Sequence, residues 1–108
     1  MPEGATLQPI RLQVLPEGTR LSLGGTVNIM LAEELLGAAR RIAPGGVVEG
    51  DLAEAEHLDT SALQVLVALR EAVRGAGGTW AVVQVPEGVR RYLRLAGLEL
   101  VLLGTTPS

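Results

Sequence analysis

A chain of 108 residues with 12 acidic and nine basic side chains, a net charge of −3 and no cysteine has the length of one domain, and it can bury a core without disulfides. All nine basic residues are arginines scattered from Arg11 to Arg94, with only Trp80 and Tyr92 as aromatic partners, so the basic stripe and stacking platform of a nucleic-acid binder are missing. No charge-free stretch reaches the roughly 18 residues of a membrane helix, and Met1 to Ala5 lacks the order of an export signal; the expectation is a cytoplasmic protein without membrane insertion.

Residues 1 to 9 carry no periodicity and read as a poorly ordered lead-in. Ile10, Leu12 and Val14 then alternate with Arg11 and Gln13, the period-2 pattern of a strand covered on one face. Pro16-Glu17-Gly18-Thr19 supplies a tight turn into a second strand around Leu21-Ser22-Leu23, which Gly24-Gly25 is expected to break. Thr26 or Asn28 can cap a helix with Leu31, Leu35, Ala38 and Ile42 on one side, stopped by Pro44-Gly45-Gly46. Val47 to Leu52 predicts a short third strand, and Asp51 to Glu56 an acidic connection.

The connection runs into the stretch Glu56-His57-Leu58-Asp59-Thr60-Ser61-Ala62-Leu63-Gln64, where polar residues give way to apolar residues at helical spacing. Ser61 followed three residues later by Gln64 fits a capping box, in which each side chain takes up a free backbone N–H of the first turn. The helix carries Leu63, Leu66, Val67 and Val73 inward and ends at Gly75, expected in the left-handed conformation. Thr79 to Val85 is nearly all apolar and reads as a strand at or near the centre of a sheet. Val89, Tyr92, Leu93 and Ala96 mark a third helix whose other face carries Arg90, Arg91 and Arg94, and Gly97 ends it. Leu98 to Leu103 reads as a last strand and Gly104 to Ser108 as tail. The order is strand, strand, helix, strand, helix, strand, helix, strand: a single α/β domain with a mixed, mostly parallel sheet and an antiparallel edge.

Catalytic and ligand signatures are weak. His57, Asp59 and Ser61 lie two residues apart, about 7 Å on a strand, with no nucleophile elbow or oxyanion loop, so no catalytic residue is assigned. One histidine and no cysteine give no metal-ligand spacing. Gly75-Ala76-Gly77-Gly78 follows a helix and precedes a strand, the reverse of a phosphate cradle, and no cofactor is implied. Ser61 has two readings: a cap, or a hydroxyl at an exposed helix start where a phosphate would meet free N–H groups beside Asp51, Glu54, Glu56 and Asp59.

The segment Val47 to Leu69, with its strand, Asp51, acidic connection and Leu58-Asp59-Thr60-Ser61-Ala62-Leu63, resembles the signature of the STAS family, the bacterial anti-sigma-factor antagonists and their relatives. The order of elements agrees over residues 10 to 103, and Leu95-Ala96-Gly97-Leu98 is similar to the end of the family's third helix. The resemblance implies a small open sheet with helices on one side and no enzymatic activity. It further implies binding to a serine kinase that is also an anti-sigma factor, switched by phosphorylation of the serine that Ser61 matches. Asp59, Thr60 and Asp51 match its polar neighbours, and Ala62 replaces a common glycine, setting a methyl beside the acceptor. The docking surface so implied is Asp51, Glu54, Glu56, His57, Asp59, Thr60, Ala62 and Gln64. The family also contains unphosphorylated adaptors, such as soluble subunits of lipid transporters and companions of chemosensory or stress complexes, which is the alternative.

Overall fold

The structure is a computed structural model and describes residues 9–103; the expected tail, and the lead-in apart from Pro9, lie outside the described residues. β1 (Ile10–Leu15) turns through Pro16 and Glu17 into β2 (Gly18–Val27), and α1 (Ile29–Arg40) leads to β3 (Val47–Leu58). Next come α2 (Thr60–Gly75), β4 (Thr79–Val83), α3 (Glu87–Leu95) and a short α4 (Glu99–Leu103). The sheet order is β1-β2-β3-β4, antiparallel between β1 and β2 and parallel across the other two pairs.

Register separates two faces. Leu12, Leu21, Gly50 and Val82 form one cross-strand row against the helices, whereas Gln13, Arg20, Glu49 and Ala81 form a row on the open face. Arg20 Nε donates to Glu49 Oε1 at 2.7 Å across that open face. Leu21, Leu23, Val48 and Leu58 of the sheet are buried with Leu35 of α1, Leu63 and Val73 of α2 and Leu93 of α3. Asn28, one of two caps anticipated, closes the start of α1 by accepting from the backbone N–H of Met30 at 3.0 Å and of Leu31 at 3.3 Å.

Four local expectations are corrected. Gly24-Gly25 does not break β2. The strand runs through them, with Gly25 at φ 66° and register shifts between Ser22 and Gly24 and between Gly25 and Thr26. β3 continues to Leu58 and absorbs the whole acidic connection, because those two irregularities each accommodate an extra β3 residue. Leu52, Ala55 and Leu58 thus all point inward while Glu54 and Glu56 face water; a bulge resets the alternation. Gly75 is the last helical residue, and the left-handed position falls to Gly77 at φ 82°, with Gly78 N–H bonded to Val73 O at 2.8 Å.

Leu98 to Leu103 forms no strand, Glu99–Leu103 being helical instead, so β4 is an edge strand rather than a central one. Six mostly apolar residues satisfy either period, and tertiary partners decide. Trp80 Nε1 donates to Leu102 O at 2.8 Å, and Glu99 accepts from Arg90 at 3.1 Å and Arg94 at 3.3 Å. Partial burial pushes the Glu99 carboxyl up, but the two guanidiniums outweigh it and hold the group below its ordinary value.

Gly50 leaves a small apolar hollow of about 10 Å³ beside Leu21, Trp80, Val82, Leu93 and Leu102. A methyl at Gly50 would lie 3.8 Å from Val82 Cγ2 and 3.9 Å from Trp80 Cη2, ordinary contact distances. Removing a strand glycine recovers about 0.5–1 kcal/mol and burying one methyl about 0.8 kcal/mol. Gly50→Ala is therefore expected to raise the melting temperature by roughly 5–10 °C. An unchanged or lower value in a thermal melt would show that the row has no room.

Candidate functional site

Because β2, β3 and β4 are parallel, α1, α2 and α3 all begin at the same edge of the sheet, the carboxyl ends of the strands. Val27 pairs with Leu58 in register, and the N–H of Asp59 donates to Val27 O at 2.9 Å. The starts of α1 and α2 are therefore side by side. Ligands of open parallel sheets gather at this edge, where helix N-termini converge.

Asp59 occupies the cap position of α2, but its side chain makes no capping hydrogen bond. It turns instead toward His57, whose Nε2 lies 3.4 Å from Asp59 Oδ1 with both side chains about two-fifths exposed. The separation expected from a strand is corrected here: Asp59 has already left β3, and the turn folds its carboxylate back. The His57 ring also meets Tyr92 of α3 edge-on, with centroids 4.6 Å apart. Imidazole, phenol and carboxylate thus join β3, α2 and α3 at one corner.

Ser61 is in the first turn of α2, not at its cap, so the capping box does not form. Its Oγ is buried and has no hydrogen-bond partner among the described residues. The exposed hydroxyl expected at this helix start belongs to Thr60. The His57, Asp59 and Ser61 trio does not assemble into a relay, since the Ser61 oxygen makes no hydrogen bond to either partner. Ala62 is fully buried. It is corrected out of the docking surface, because the residue after Ser61 points under the helix and its methyl meets the core instead of a partner.

An unpaired buried hydroxyl costs about 1–3 kcal/mol in protein mutational data, and alanine is also the better helix former. Ser61→Ala is thus expected to stabilise the protein by about 1 kcal/mol, whereas loss of a capping serine would cost a similar amount. The sign of the change in urea denaturation decides between the two.

The remaining acidic residues divide. Glu54 and Glu56 line a surface hollow of about 340 Å³ with Gly24, Gly25, Thr26 and Leu31, close to the helix starts. Asp51 sits farther down β3 on the open face, in the row of Arg11, Ser22 and Val83. Its Oδ1 accepts from Ala53 N–H at 3.0 Å. Seven residues from Leu58, or on the order of 20 Å along a strand, it is not brought together with Asp59. Gln64 is exposed one turn below Thr60 on the same helical stripe.

Two residues escaped the sequence reading. Ile29 and Met30, in the first turn of α1, are 70% and 81% exposed, which sets large apolar side chains at the same edge of the sheet as Asp59 and Thr60. The signal was present: they follow the Asn28 cap but fall off the Leu31, Leu35, Ala38 and Ile42 stripe. Tyr92 was assigned to the core face and also serves the His57 corner.

Among the described residues there is no cluster of three metal-binding side chains, and no helix is long and apolar enough to cross a membrane. No curated protein matches the chain. Similar solved structures include an anti-sigma factor antagonist from Mycobacterium paratuberculosis, with a TM-score of 0.74 and 23% identity over 92% of this chain and 85% of that one. The unphosphorylated anti-sigma factor antagonist SpoIIAA gives a TM-score of 0.69 at 16% identity, covering 83% and 82% of the two chains. A sulfate transporter family protein from Wolinella succinogenes gives 0.66 at 17%, covering 77% and 69%. These likenesses concern the fold. The family model described as "Mlab, STAS domain" matches residues 10–104, and the chain belongs to the STAS domain family.

Proposed function

We propose that this chain is a non-enzymatic, cytoplasmic protein-binding module of the anti-sigma-factor antagonist type, docking a serine kinase that is also an anti-sigma factor and released by phosphorylation of Ser61. The observation that carries the reading is the juxtaposition at one edge of Ile29 and Met30, both exposed, with the Asp59-Thr60-Ser61 turn. Apolar anchors rimmed by charge are the anatomy of a protein interface. Glu56, Asp59, Thr60 and Gln64 form the rim, with His57 at its corner and Glu54 in the adjoining hollow. Asp51 contributes only to a partner large enough to reach the open face.

The orphaned Ser61 oxygen fits a switch in a specific way. No hydrogen bond holds it inward, so rotation about χ1 presents it to a kinase without breaking one. A phosphate of about −1.5 to −2 charge could not return to the buried position. It would stand next to Ile29 and Met30, where a partner's apolar surface cannot close without stripping water from a dianion.

The same burial favours a second reading, a constitutive adaptor subunit of a lipid-transport ABC complex or of a chemosensory or stress complex, in which Ser61 is never modified. Quantitative co-purification from the native host with wild type, Ser61→Ala and Ser61→Glu as baits separates the two. The switch predicts a serine kinase held by wild type and alanine and lost at least tenfold by glutamate. Equal retention of one transporter or scaffold subunit by all three folded baits would replace it with the adaptor.

A further inference from the structure

The two helices that open side by side at the docking edge begin on one pattern, and α2 leaves it incomplete. Thr26 pairs with His57 and Val27 with Leu58 across β2 and β3, so Asn28 and Asp59 hold corresponding places just beyond the ladder. Both have the extended backbone of a cap residue, at φ −101°, ψ −172° for Asn28 and φ −66°, ψ 163° for Asp59. Asn28 Oδ1 accepts from the N–H groups of Met30 and Leu31. The corresponding donors of α2 are the N–H groups of Ser61 and Ala62, and the Asp59 side chain accepts from neither. With the backbone already in place, a change of side-chain rotamer is all that separates the Asp59 carboxylate from a cap.

The difference lies two residues earlier. Thr26 leaves Asn28 to its cap, whereas His57 sets its Nε2 3.4 Å from Asp59 Oδ1. The imidazole has support of its own: Tyr92 of α3 meets it edge-on with centroids 4.6 Å apart, and the backbone beneath it is held in the β2–β3 ladder. The ring is therefore the fixed part and the carboxylate the part that moves. A partly exposed charge pair and a helix cap are of similar worth, so neither place outweighs the other by much.

We propose that the Asp59 carboxylate has two seats, the imidazole of His57 and the first-turn N–H groups of α2, and that His57 is a positioning residue that holds it in the first. Seated there, the carboxylate stays partly exposed at the docking edge, where a cationic side chain of a partner can pair with it. Seated in the second, it completes α2 and withdraws a charge from the rim. That use of the first seat rests on the docking reading. The seats themselves are a property of the free chain, so the two fail separately.

The test is made on the free chain with wild type, His57→Val, Asp59→Ala and the double variant, valine being chosen because it suits a strand and cannot bond a carboxylate. Amide hydrogen exchange at Ser61 and Ala62, followed by NMR, reads which seat is taken, and thermal melts read what it is worth. In His57→Val at least one of the two N–H groups is expected to exchange about fivefold more slowly than in wild type, as a formed cap requires, and to return to the fast rate in the double variant. Adding Asp59→Ala to His57→Val should still lower the melting temperature by roughly 4–8 °C, because the carboxylate has changed seats and not lost its only partner. His57→Thr, which copies the residue two places before Asn28, is expected to give the same results should valine disturb the strand. Exchange as fast in the His57 variants as in wild type, or a melt that Asp59→Ala leaves unmoved in their background, would overturn the proposal, since the carboxylate would then have one seat. So would wild-type amides already as slow as those of His57→Val, for His57 would then hold nothing away from the cap.

Discussion

Gly78→Ala is expected to destabilise the protein by about 3 kcal/mol or more. The methyl would be driven onto the carbonyl oxygens of Pro44 and Gly46, the latter at 2.5 Å, with Val73 Cγ1 at 3.0 Å behind it. Neither carbonyl is a flexible side-chain tip. Gly46 O already accepts from Thr79 N–H at 3.0 Å, the bond that starts β4 beside Val47, so yielding there would unpick the β3–β4 ladder. For a domain whose total stability is about 5–15 kcal/mol, a substantial fraction is at stake. Urea denaturation of Gly78→Ala beside Gly75→Ala, where the added methyl meets nothing within 4 Å, isolates the contact. A loss below about 1 kcal/mol at Gly78 would mean that the crossing of the two loops relaxes.

Met30→Asp is expected to weaken partner binding by about 30-fold, the affinity equivalent of the roughly 2 kcal/mol that defines an interface hot spot. At 81% exposure Met30 adds little to the core, and a surface change of this kind usually moves stability by no more than about 0.5 kcal/mol. Binding and folding are thereby separable. Isothermal titration against the protein retained by the Ser61→Ala bait would measure the loss, and Ile29→Asp should reproduce it. Unaltered affinity in both variants would move the docking surface away from the helix starts. Combined with Ser61→Glu, the losses should be less than additive, because the phosphate mimic and the apolar anchor act on the same closure.

The helices were legible wherever period and punctuation agreed. Asn28 before Leu31, Leu35 and Ala38, and Gly97 after Val89 and Leu93, each supplied a cap signal and a face. The second half of β3 was not legible, because its two irregularities convert alternation into a spacing of three across Leu52, Ala55 and Leu58, with carboxylates between. Leu98 to Leu103 was ambiguous in itself; its state is set by Trp80, Arg90 and Arg94, which are distant in sequence. At the site, the turn that starts α2 was located correctly, and the position of the serine within it was not. Capping residue types cluster at 59, 60 and 61, and only the fold shows that the cap position belongs to Asp59, leaving the Ser61 oxygen inside.

The placement of β4 at the edge bears on how the protein behaves when crowded with its own kind. From Thr79 to Val85 the chain has no charge, and an apolar strand with one unpaired side is a template for another strand to add to. Two devices limit that template. Gln84 adopts φ 56° immediately after the strand, a left-handed turn that costs a non-glycine residue about 1–2 kcal/mol, and Pro86 follows with no N–H to offer. The pairable edge is thus confined to the five residues of β4, too short for a lasting cross-β contact. The backbone strain at Gln84 acts as a gatekeeper against aggregation, set where no side-chain charge does that work.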